Sequence, residues 1–531
     1  MADPTVTTMT LAVVTLLCIG FMVSTSAVFP EETTDPRHNQ EPASTVDYTL
    51  EVRANKPIHV TNERFLSITV DVGILNKNWG NFSFGSSKLK TLTSALSPAY
   101  LRLSGTAADY LVFKRHCDDE VTTGQVDPFS QRPLTFLCPE DWDGINHFCS
   151  DTGLKLIFGL NQLLRTDDGQ WDPTNAKQLL DYNTYDDVAW ELGNEPNSYL
   201  KKANVSISGQ QIGRGFNVLR SILQSRPQYS GASLFGPDIG GITKRKKVKS
   251  ILAGFLSTTN ATNATTFHSY YLNGRTATVD DFLNPETLDS LLPVKIRTVT
   301  SQVRKYHGKD AKVWLGESGS ALGGGAPNIS DRYVAGFLFL DKLGMCAKMG
   351  LDVVIRQSYY GGSYTMLDLV SLEPKPDYWS AYIYKYLVGP TVLHVKLDTI
   401  SYEYDGGGPA KSETDKQYLR VYAHCTAAGK SGYRAGAVTL IILNMNKVNW
   451  ANITLLRKLS GRTVDQYLLT PREHMDMSSS QVNLNGHPFQ LVNDTTLPQL
   501  EPLAIGRDDP ILIPPLSYGF YVVKVKTKAC M

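Results

Sequence analysis

The stretch Ala189–Asn197 reads AWELGNEPN, a short apolar run that ends in glycine and then presents Glu195. A second stretch, Val313–Gly319, reads VWLGESG and presents Glu317 in the same way. Continuous apolar runs of this kind are typical of buried parallel strands. Two such strand ends would place a pair of carboxyl groups side by side, and most glycoside hydrolases cleave the glycosidic bond with such a pair. One glutamate alone is more often an ordinary surface acid, but two in matching contexts favour a site.

Around these two stretches, short β-rich runs alternate with helical stretches between residues 65 and 360, which predicts a parallel sheet with crossover helices. The eight candidate strands are Phe65–Val72, Tyr100–Thr106, Leu154–Asn161, Val188–Glu195, Ser233–Gly240, Thr265–Tyr271, Lys312–Glu317 and Asp352–Tyr359. Eight strand–helix units predict an α/β fold, the (β/α)8 TIM barrel, with its active site at the C-terminal ends of the strands. Glu195 and Glu317 then end strands four and seven on one face of the barrel.

From about Leu387 onward the pattern changes to short strands separated by Gly, Pro and Asn turns, which predicts a β-sandwich. Its candidate strands are Tyr418–Cys425, Ala435–Leu443, Asn452–Leu456, Tyr467–Thr470 and Tyr518–Lys526, and early strands at Tyr48–Val52 and His59–Val60 are expected to join them. The polar segment 114–143 is expected to be a loop. The predicted domains are a signal peptide (1–27), an N-terminal segment (28–64), a catalytic barrel (65–386) and the sandwich (387–531).

The start of the chain resembles a secretory signal. An apolar run over residues 10–23 precedes small residues that suit cleavage after Ala27. No Lys or Arg precedes the run, so a retained N-terminal anchor stays open as a second interpretation. The secretory route is also favoured by seven Asn-x-Ser/Thr triplets, which begin at Asn81, Asn204, Asn260, Asn263, Asn328, Asn452 and Asn493. The expected destination is the extracellular matrix or the lysosome.

Composition narrows the class of protein. With 42% apolar and 19% charged residues the chain is an ordinary globular one, and a net charge of +1 gives no reason to expect a nucleic-acid partner. Cys425 and Cys530 bracket the C-terminal region and are expected to close it as a disulfide, whereas Cys346 is expected to be a buried thiol. Two of three nearby cysteines are expected to pair: Cys117, Cys138 and Cys149. No Cys/His spacing resembles a metal site, and no cofactor is expected.

Four longer stretches resemble one known family: WELGNEPNSYLKK (190–202), YYLNGRTAT (270–278), WLGESGSALGGGAP (314–327) and DYWSAYIYKYLVG (377–389). From about Tyr48 onward the chain is similar to the heparanases, endo-β-glucuronidases built from a barrel and a sandwich. The resemblance implies a retaining mechanism with Glu195 as proton donor and Glu317 as nucleophile. A donor needs a raised pKa, which a neighbouring ionised Glu317 would supply, so an acidic pH optimum is expected.

The resemblance also implies the substrate contacts, one position at a time. Asn194 is matched to a contact with the sugar 2-hydroxyl, and Tyr270 to a hydrogen bond that steadies the nucleophile. His268 is matched to the pocket, although a satisfied core histidine is equally compatible with the residue itself. Gly323 and Gly324 are matched to a backbone site for the uronate carboxylate, and a flexible loop is the plainer interpretation of the same glycines. The remaining implied contacts are Asp71, Thr106, Arg275, Gln357 and Tyr364.

A basic run follows strand five at the predicted mouth of the barrel and comprises Lys244, Arg245, Lys246, Lys247 and Lys249. Such runs usually mark a solvated face, but this position, near Lys201 and Lys202, favours contact with a polyanion. The expected partner is a heparan sulfate or hyaluronan polysaccharide, with loose cell-surface association through proteoglycans. The oligomeric state is left open.

Three departures from the heparanase pattern bear on the substrate. Asp71-Val72-Gly73 lacks a side chain at its third position, Gly241-Ile242-Thr243 replaces Gln-Pro-Arg, and the segment 114–143 is much shorter than the linker that heparanases excise. Related invertebrate hyaluronidases share the two glutamates and the short linker. We therefore expect an endo-β-glucuronidase acting on heparan sulfate, with hyaluronan as the alternative substrate. A non-catalytic glycosaminoglycan-binding protein and an exo-acting β-glucuronidase are also compatible with the sequence.

Overall fold

The structure is a computed structural model that describes residues 44–117, 125–127, 132–242, 246–400 and 417–531. The predicted signal peptide lies outside these residues. The strands are β1 Thr45–Arg53, β2 His59–Val60, β3 Leu66–Asp71, β4 Ala99–Ser104, β5 Leu111–Phe113, β6 Thr135–Leu137, β7 Leu154–Leu160, β8 Ala189–Leu192, β9 Leu234–Ile239, β10 Ala264–Asn273, β11 Val313–Leu322, β12 Val354–Tyr360, β13 Val388–Thr399, β14 Leu419–Thr426, β15 Val438–Asn444, β16 Trp450–Leu455, β17 Val464–Pro471, β18 Val482–Leu484, β19 His487–Phe489, β20 Leu503–Ile505, β21 Ile511–Ile513 and β22 Ser517–Val523.

The helices of the same described residues complete the element order. They are α1 Ser87–Ser94, α2 Pro139–Thr152, α3 Thr174–Tyr182, α4 Tyr199–Ala203, α5 Gly209–Gln224, α6 Lys246–Thr258, α7 Val279–Phe282, α8 Pro285–Ser290, α9 Leu292–His307, α10 Ala335–Lys348 and α11 Pro376–Leu387. Within the described ranges, none of these helices combines the length and the apolar character that a membrane span requires.

Eight parallel strands close into a barrel in the order β10-β11-β12-β3-β4-β7-β8-β9, which confirms the predicted (β/α)8 architecture. The ends of two strands differ from the prediction in a way that matters. Strand β8 stops at Leu192, so Glu195 lies in the following loop, and β11 continues to Leu322, so Glu317 lies inside the strand. The two carboxyl groups therefore reach the same face of the barrel from different local structures.

The barrel interior changes from apolar to charged along its axis. Its floor is a cluster of eight buried residues: Tyr100, Ile157, Ala189, Phe235, Ala264, Trp314, Val353 and Ile355. Side chains on one face of a strand recur every second residue, so β4 and β8 next present Arg102 and Glu191 to the same interior. Both of these side chains are fully buried. The candidate site thus stands on an apolar floor with a charged layer above it.

The C-terminal region is the expected sandwich and includes the early strands. Strand β1 pairs antiparallel with β13 and parallel with β16, and β2 pairs with β13. Strand β22 alternates between two cores: Tyr521 and Val523 face the sandwich interior, whereas Tyr518 and Phe520 join the barrel core. Tyr518 stacks on Tyr333, just before α10, with ring centroids 4.7 Å apart. One face of the sandwich therefore packs directly against the barrel helices.

The expectation of a loop over residues 114–143 is wrong in part. Within the described residues of this segment, β6 pairs in parallel with β5, and α2 begins at Pro139. The short run Leu134–Leu137, which lies between Pro133 and Cys138-Pro139, supplies this strand. A disulfide joins Cys117 to Cys138, and the predicted disulfide joins Cys425 to Cys530. Cys149 and Cys346 are buried thiols.

Candidate active site

The loop after β8 holds Glu195 in a left-handed backbone conformation, with φ at 51°. Its N–H donates to the carbonyl of Asp238 on β9 at 3.0 Å, which ties the two neighbouring strand ends together. A Cβ at Gly240 would lie 2.3 Å from Glu195 Oε1. Glycine at position 240 therefore leaves the space that the Glu195 carboxylate occupies.

A β-bulge aims Glu317 into the barrel. Along the pair β10–β11, Phe267 lies opposite Leu315, but the next residue, His268, lies opposite Glu317, so Gly316 is the extra residue. Bulges commonly re-aim side chains beside active sites. A Cβ at Gly316 would lie 2.6 Å from Asp238 Oδ1, so this bulge accommodates no side chain.

Both oxygens of Glu317 are held by hydrogen bonds. Tyr270 Oη donates to Oε1 at 2.7 Å, as the resemblance implied, and Arg102 Nη1 donates to Oε2 at 3.0 Å. An oxygen of Glu195, an oxygen of Glu317 and a ring nitrogen of His268 all lie within 4.8 Å of one another. Carboxyl groups of retaining glycosidases stand about 5–5.5 Å apart, against about 6.5–9.5 Å in inverting ones. The close pair fits a nucleophile and a proton donor.

The same three groups also offer ligand atoms to a cation. Positive charge already reaches both carboxylates, because Arg102 contacts Glu317 and Lys202 contacts Glu195. The negative charges of Glu195 and Glu317 are thus largely compensated by the positive charges of Lys202 and Arg102.

Arg102 is a functional residue that sequence reasoning missed. Its buried guanidinium also donates from Nε to Glu191 Oε2 at 2.8 Å and from Nη2 to Asn194 Oδ1 at 3.1 Å. Burial lowers the pKa of Arg102, but Glu191, Asp238 and Glu317 outweigh it and raise the pKa above its ordinary value. Burial raises the pKa of Glu191 to about 8 in spite of Arg102. The available signal was a lone arginine inside the otherwise apolar run Ala99–Leu103.

His268 bridges the proton donor to a buried carboxylate. Its Nδ1 lies 3.2 Å from Glu195 Oε1, and its Nε2 lies 3.0 Å from Asp238 Oδ1. Burial lowers the pKa of His268, but Glu317, Asp238 and Glu195 raise it to about 10. The protonated ring then donates to both neighbours. The structure thus places His268 in the site rather than in the apolar core.

Lys202 gives the predicted donor a second cationic partner. Its Nζ lies 3.1 Å from Glu195 Oε2 and 3.1 Å from Thr106 Oγ1, so Thr106, predicted as a substrate contact, here supports Lys202. Burial alone raises the pKa of Glu195, but His268 and then Lys202 outweigh it and lower the pKa to about 2. The expected raised pKa is therefore reversed in the free protein, because two cations contact this carboxylate.

Asn194 is fixed from two sides. Its Oδ1 accepts from Arg102, and its backbone N–H donates to Asp109 Oδ2 at 3.2 Å. Asp109 also accepts from Tyr199 Oη at 2.6 Å, and burial raises the pKa of Asp109 to about 7. Arg102 occupies the amide oxygen of Asn194, so the amide nitrogen is left to donate, as a contact with a sugar hydroxyl requires.

A cavity of about 490 Å³ brings together three of the predicted contacts: Asp71, Gln357 and Tyr364. Its wall also includes Trp79 and Tyr360. Gln357 Nε2 donates to Tyr364 Oη at 3.4 Å, while Gln357 Oε1 is buried with no hydrogen-bond partner among the described residues. The Tyr364 ring stacks on Tyr270 at 6.3 Å, which connects the cavity to Glu317. Burial raises the pKa of Asp71 to about 6.

The other predicted contacts lie at the rim. Gly323 and Gly324 have φ angles of 80° and 92°, which favour glycine, and Gly324 O accepts from Ser363 N at 2.6 Å. Arg275 is exposed in the turn after β10. Lys246 and Lys247 are exposed on the first turn of α6, whereas Lys244 and Arg245 lie outside the described residues. The described contacts bring none of Arg275, Lys246 and Lys247 to the carboxylate pair.

Comparison with known proteins identifies the family. Residues 47–344 match the model of "Glycosyl hydrolase family 79, N-terminal domain". The chain belongs to glycosyl hydrolase family 79. A heparanase of Gallus gallus is 38% identical over 524 residues, covering 91% of this chain and 96% of that protein. This family 79 chain is therefore a glycoside hydrolase related to the heparanases over nearly its whole length.

Other relatives of this family 79 chain differ in their described activity. A protein of Homo sapiens described as inactive heparanase-2 is 34% identical and covers 91% of this chain and 89% of that protein. A hyaluronoglucuronidase of Hirudo nipponia is 32% identical and covers 88% of this chain and 96% of that protein. The structure of a 4-O-α-L-rhamnosyl-β-D-glucuronidase of Fusarium oxysporum matches with a TM-score of 0.61 at 16% identity, covering 90% of this chain and 100% of that one. That last likeness concerns the fold alone.

Proposed function

We propose that this family 79 protein is a retaining endo-β-glucuronidase that cleaves heparan sulfate. The observation that carries the proposal is the pair of carboxylates, with an oxygen of Glu195 within 4.8 Å of an oxygen of Glu317. Glu317 attacks the anomeric carbon while Glu195 protonates the leaving oxygen, and the glycosyl–enzyme bond forms as the glycosidic bond breaks. Glu195 then takes a proton from water, whose oxygen releases the sugar from Glu317.

The surroundings of Glu317 support its role as the nucleophile. Tyr270 and Arg102 hold both of its oxygens, which fixes the carboxylate before the substrate arrives. Pre-set geometry of this kind removes much of the entropic cost of the attack. Arg102 also holds Asn194 by its amide oxygen, so one guanidinium orients the nucleophile and a neighbouring polar contact together.

A glycosaminoglycan substrate is supported by the charge of the rim and by the relatives. Exposed cations at the C-terminal face of the barrel include Arg275, Lys246 and Lys247. Cationic side chains at a cleft attract polyanionic chains. The relatives described as heparanases make heparan sulfate the first choice among such chains.

Hyaluronan is the second candidate substrate. Gly73 puts no side chain on the wall of the cavity beside Asp71, and Lys77 is the single cation that lines this cavity within the described residues. An unsulfated chain needs few cationic contacts. The relative from Hirudo nipponia described as a hyaluronoglucuronidase supports this second candidate.

A non-catalytic binding protein is the candidate of a different class, favoured by the relative described as inactive. Against it stands the organisation of this site, because Glu195 and Glu317 each keep two hydrogen-bonding partners. A retired active site has no physical need for such support. An enzyme cleaves the polysaccharide, and Glu317→Gln should abolish this cleavage while the affinity for the polysaccharide is kept. A binding protein shows no cleavage with either wild type or Glu317→Gln.

Product analysis tests the proposed activity. The purified chain is incubated at about pH 5, where a general acid is readily protonated, with heparan sulfate and with hyaluronan in parallel. Size-exclusion chromatography and mass spectrometry should show shortened heparan sulfate with glucuronate at the new reducing ends. Nuclear magnetic resonance of the first product should show the β-anomer. Initial release of the α-anomer would rule out the retaining mechanism, and shortening of hyaluronan alone would move the activity to the second candidate.

We also propose that the protein is secreted or lysosomal and associates loosely with cell surfaces through proteoglycans. Two disulfides and the exposed Asn-x-Ser/Thr sites support an oxidising, glycosylating route. Within the described residues six of the seven asparagines are exposed, and Asn452 is half-buried. Expression in animal cells followed by glycosidase treatment should lower the apparent mass. A cytosolic, unglycosylated product would contradict this proposal.

A further inference from the structure

Lys202 is held so that its ammonium group reaches the proposed proton donor. Its backbone carbonyl accepts from Tyr110 Oη at 3.2 Å and from Arg132 Nε at 3.1 Å, which fixes α4 beside the site. Its side chain then extends to Glu195 Oε2 and Thr106 Oγ1, each 3.1 Å away. The contact between Lys202 and Glu195 is therefore fixed by the hydrogen bonds that hold α4, and Lys202 is not a freely moving surface lysine.

This contact creates a problem for the chemistry. Glu195 Oε2 is taken by Lys202 and Oε1 by His268, so both oxygens face cations and the carboxylate is ionised. An ionised carboxylate has no proton to give to a leaving oxygen. The other charged groups around this pair are Glu317, Asp238, Arg102, Asp71, Asp109 and Lys295. For catalysis, one of the two cations must give way.

Burial distinguishes the two cations. The side chain of His268 is 1% exposed and is fastened to Asp238, so it stays in place. The side chains of Lys202 and Glu195 are 21% and 20% exposed, so an incoming chain can reach both. Lysine also has a long, flexible stem that allows its ammonium group to change partners. Lys202 is thus the movable partner of Glu195.

We propose that Lys202 ties the protonation of Glu195 to the charge of the substrate. An anionic oxygen on the leaving-group side of the cleavage site draws the Lys202 ammonium away from Glu195 Oε2. The proton on His268 Nδ1 then moves to Glu195 Oε1, leaving His268 neutral with its Nε2–H still bonded to Asp238. Glu195 passes that proton to the glycosidic oxygen as Glu317 forms its bond to the anomeric carbon. The inference rests on the proposed glucuronidase function and adds a reason for preferring polyanions.

The anionic oxygen has two sources in glycosaminoglycans, a hexosamine sulfate or a uronate carboxylate. Either one offers the same charge-assisted partner to an ammonium group. A glucuronide with a neutral leaving group offers neither, so Lys202 stays on Glu195 and turnover is slow. The proposal therefore accounts for selectivity between polymers and small glucuronides through one residue.

The test compares Lys202→Met, Lys202→Arg and wild type on three substrates: heparan sulfate, hyaluronan and methyl β-glucuronide, whose poor alkoxide leaving group requires the proton from Glu195. Removing the cation should raise kcat on the neutral glucuronide about tenfold and move the alkaline limb of its kcat/KM profile up by about one pH unit. On heparan sulfate the same variant should have a lower kcat/KM than the wild type. Lys202→Arg keeps the charge but can hold the Glu195 carboxylate with two parallel hydrogen bonds, so its alkaline limb should not move up and its turnover of the neutral glucuronide should not rise. Lys90→Met, which breaks a remote lysine pair with Asp151, is the matched control and should change neither.

A second measurement uses the unaltered protein, so it does not depend on how a variant folds. A glucosamine that carries a sulfate ester, added together with the neutral glucuronide, should accelerate the hydrolysis of the glucuronide. The reason is that the sulfate group can bind the Lys202 ammonium group. Inhibition or an unchanged rate would contradict the proposal. Equal losses by Lys202→Met on all substrates, with no shift of the pH limb, would also overturn it and leave Lys202 as a structural residue.

The outcomes distinguish the proposed glucuronidase activity from the proposed coupling between substrate charge and Glu195 protonation. If the wild type cleaves none of the three substrates, the glucuronidase function itself fails. If it cleaves heparan sulfate while Lys202→Met keeps the wild-type selectivity, only the coupling fails. Fast cleavage of hyaluronan as well as heparan sulfate by the wild type assigns the anionic oxygen to a carboxylate. Fast cleavage of heparan sulfate alone assigns it to a sulfate.

Discussion

Arg102 and Glu317 form an ion pair across the barrel interior, with Nη1 3.0 Å from Oε2. The arginine is fully buried, and the glutamate side chain is 11% exposed. Because the same guanidinium also holds Glu191 and Asn194, it joins strands β4, β8 and β11 through side chains as well as through the barrel ladder. The pair therefore connects the rigid charged layer of the barrel to the reacting carboxylate.

Replacing Arg102 by Met should destabilise the protein strongly. The change leaves Glu191, Asp238 and Glu317 without their shared cation, and breaking a buried pair typically costs about 3–5 kcal/mol. Urea unfolding at neutral pH measures the free energy of unfolding. The control is Arg226→Met, which removes a more exposed pair with Asp181 and should cost less than about 1 kcal/mol. Similar losses in the two variants would contradict the buried network.

Much of this architecture could be predicted from sequence because hydrophobic periodicity is local. All eight barrel strands follow from apolar runs of the kind that ends before Glu195, and the two glutamates follow from the glycines beside them. The predicted strand ends were less accurate at the site. A left-handed residue at Glu195 and a bulge at Gly316 end or extend the strands for reasons that depend on neighbouring strands.

The charged layer could not be predicted in the same way. The contacts of His268 with Glu195 and Asp238 join three different strand ends, so they depend on barrel closure. The contact of Lys202 with Glu195 was not predicted, because the sequence indicated only that a basic side chain lies near the mouth of the barrel. Sequence reasoning identified the right residue types but not the pairs, and the pairs set the pKa of the donor.

Tyr270→Phe should lower kcat by about 10- to 100-fold with little change in stability. Its hydroxyl donates to Glu317 Oε1 at 2.7 Å, and a hydrogen bond to a charged group contributes about 1.5–3 kcal/mol. Steady-state kinetics on heparan sulfate measures the effect. The neighbouring Tyr271→Phe is the control, because the Tyr271 hydroxyl has no partner among the described residues. Equal effects of the two changes would show that the hydrogen bond to Glu317 is unimportant.

His424 should make the protein less stable in acid. Burial lowers its pKa from 6.5 to about 4, so the folded protein keeps the ring neutral while the unfolded chain protonates it. Its contribution is intact above about pH 6.5 and is lost as the pH falls toward 4, reaching about 3 kcal/mol from that difference. Asp109 and Glu191, whose pKa values are raised, act in the opposite direction.

The His424 effect is isolated by a difference measurement. His424→Gln removes the titrating ring from the carbonyl of Gly389, so the variant should be less stable than wild type at pH 7.5 and recover relative to it at pH 4.5. Thermal unfolding at the two pH values gives the comparison, with the exposed His487→Gln as control. A constant gap between variant and wild type across this range would show that the pKa of His424 is the same in the folded and unfolded states, which would contradict the prediction.

The roles of the two glutamates should separate on a substrate whose leaving group needs no proton. With p-nitrophenyl β-glucuronide, Glu195→Gln should still allow Glu317 to attack, because nitrophenolate departs unaided. The second step still needs a base, so turnover should stall after one burst and a covalent glucuronyl adduct should accumulate on Glu317. On heparan sulfate the same variant should lose about 10²–10⁴ in rate, the usual contribution of general acid–base catalysis. Glu317→Gln should show neither burst nor adduct. Intact-protein mass spectrometry of quenched reactions detects the adduct, and a burst in Glu317→Gln would exchange the two assignments.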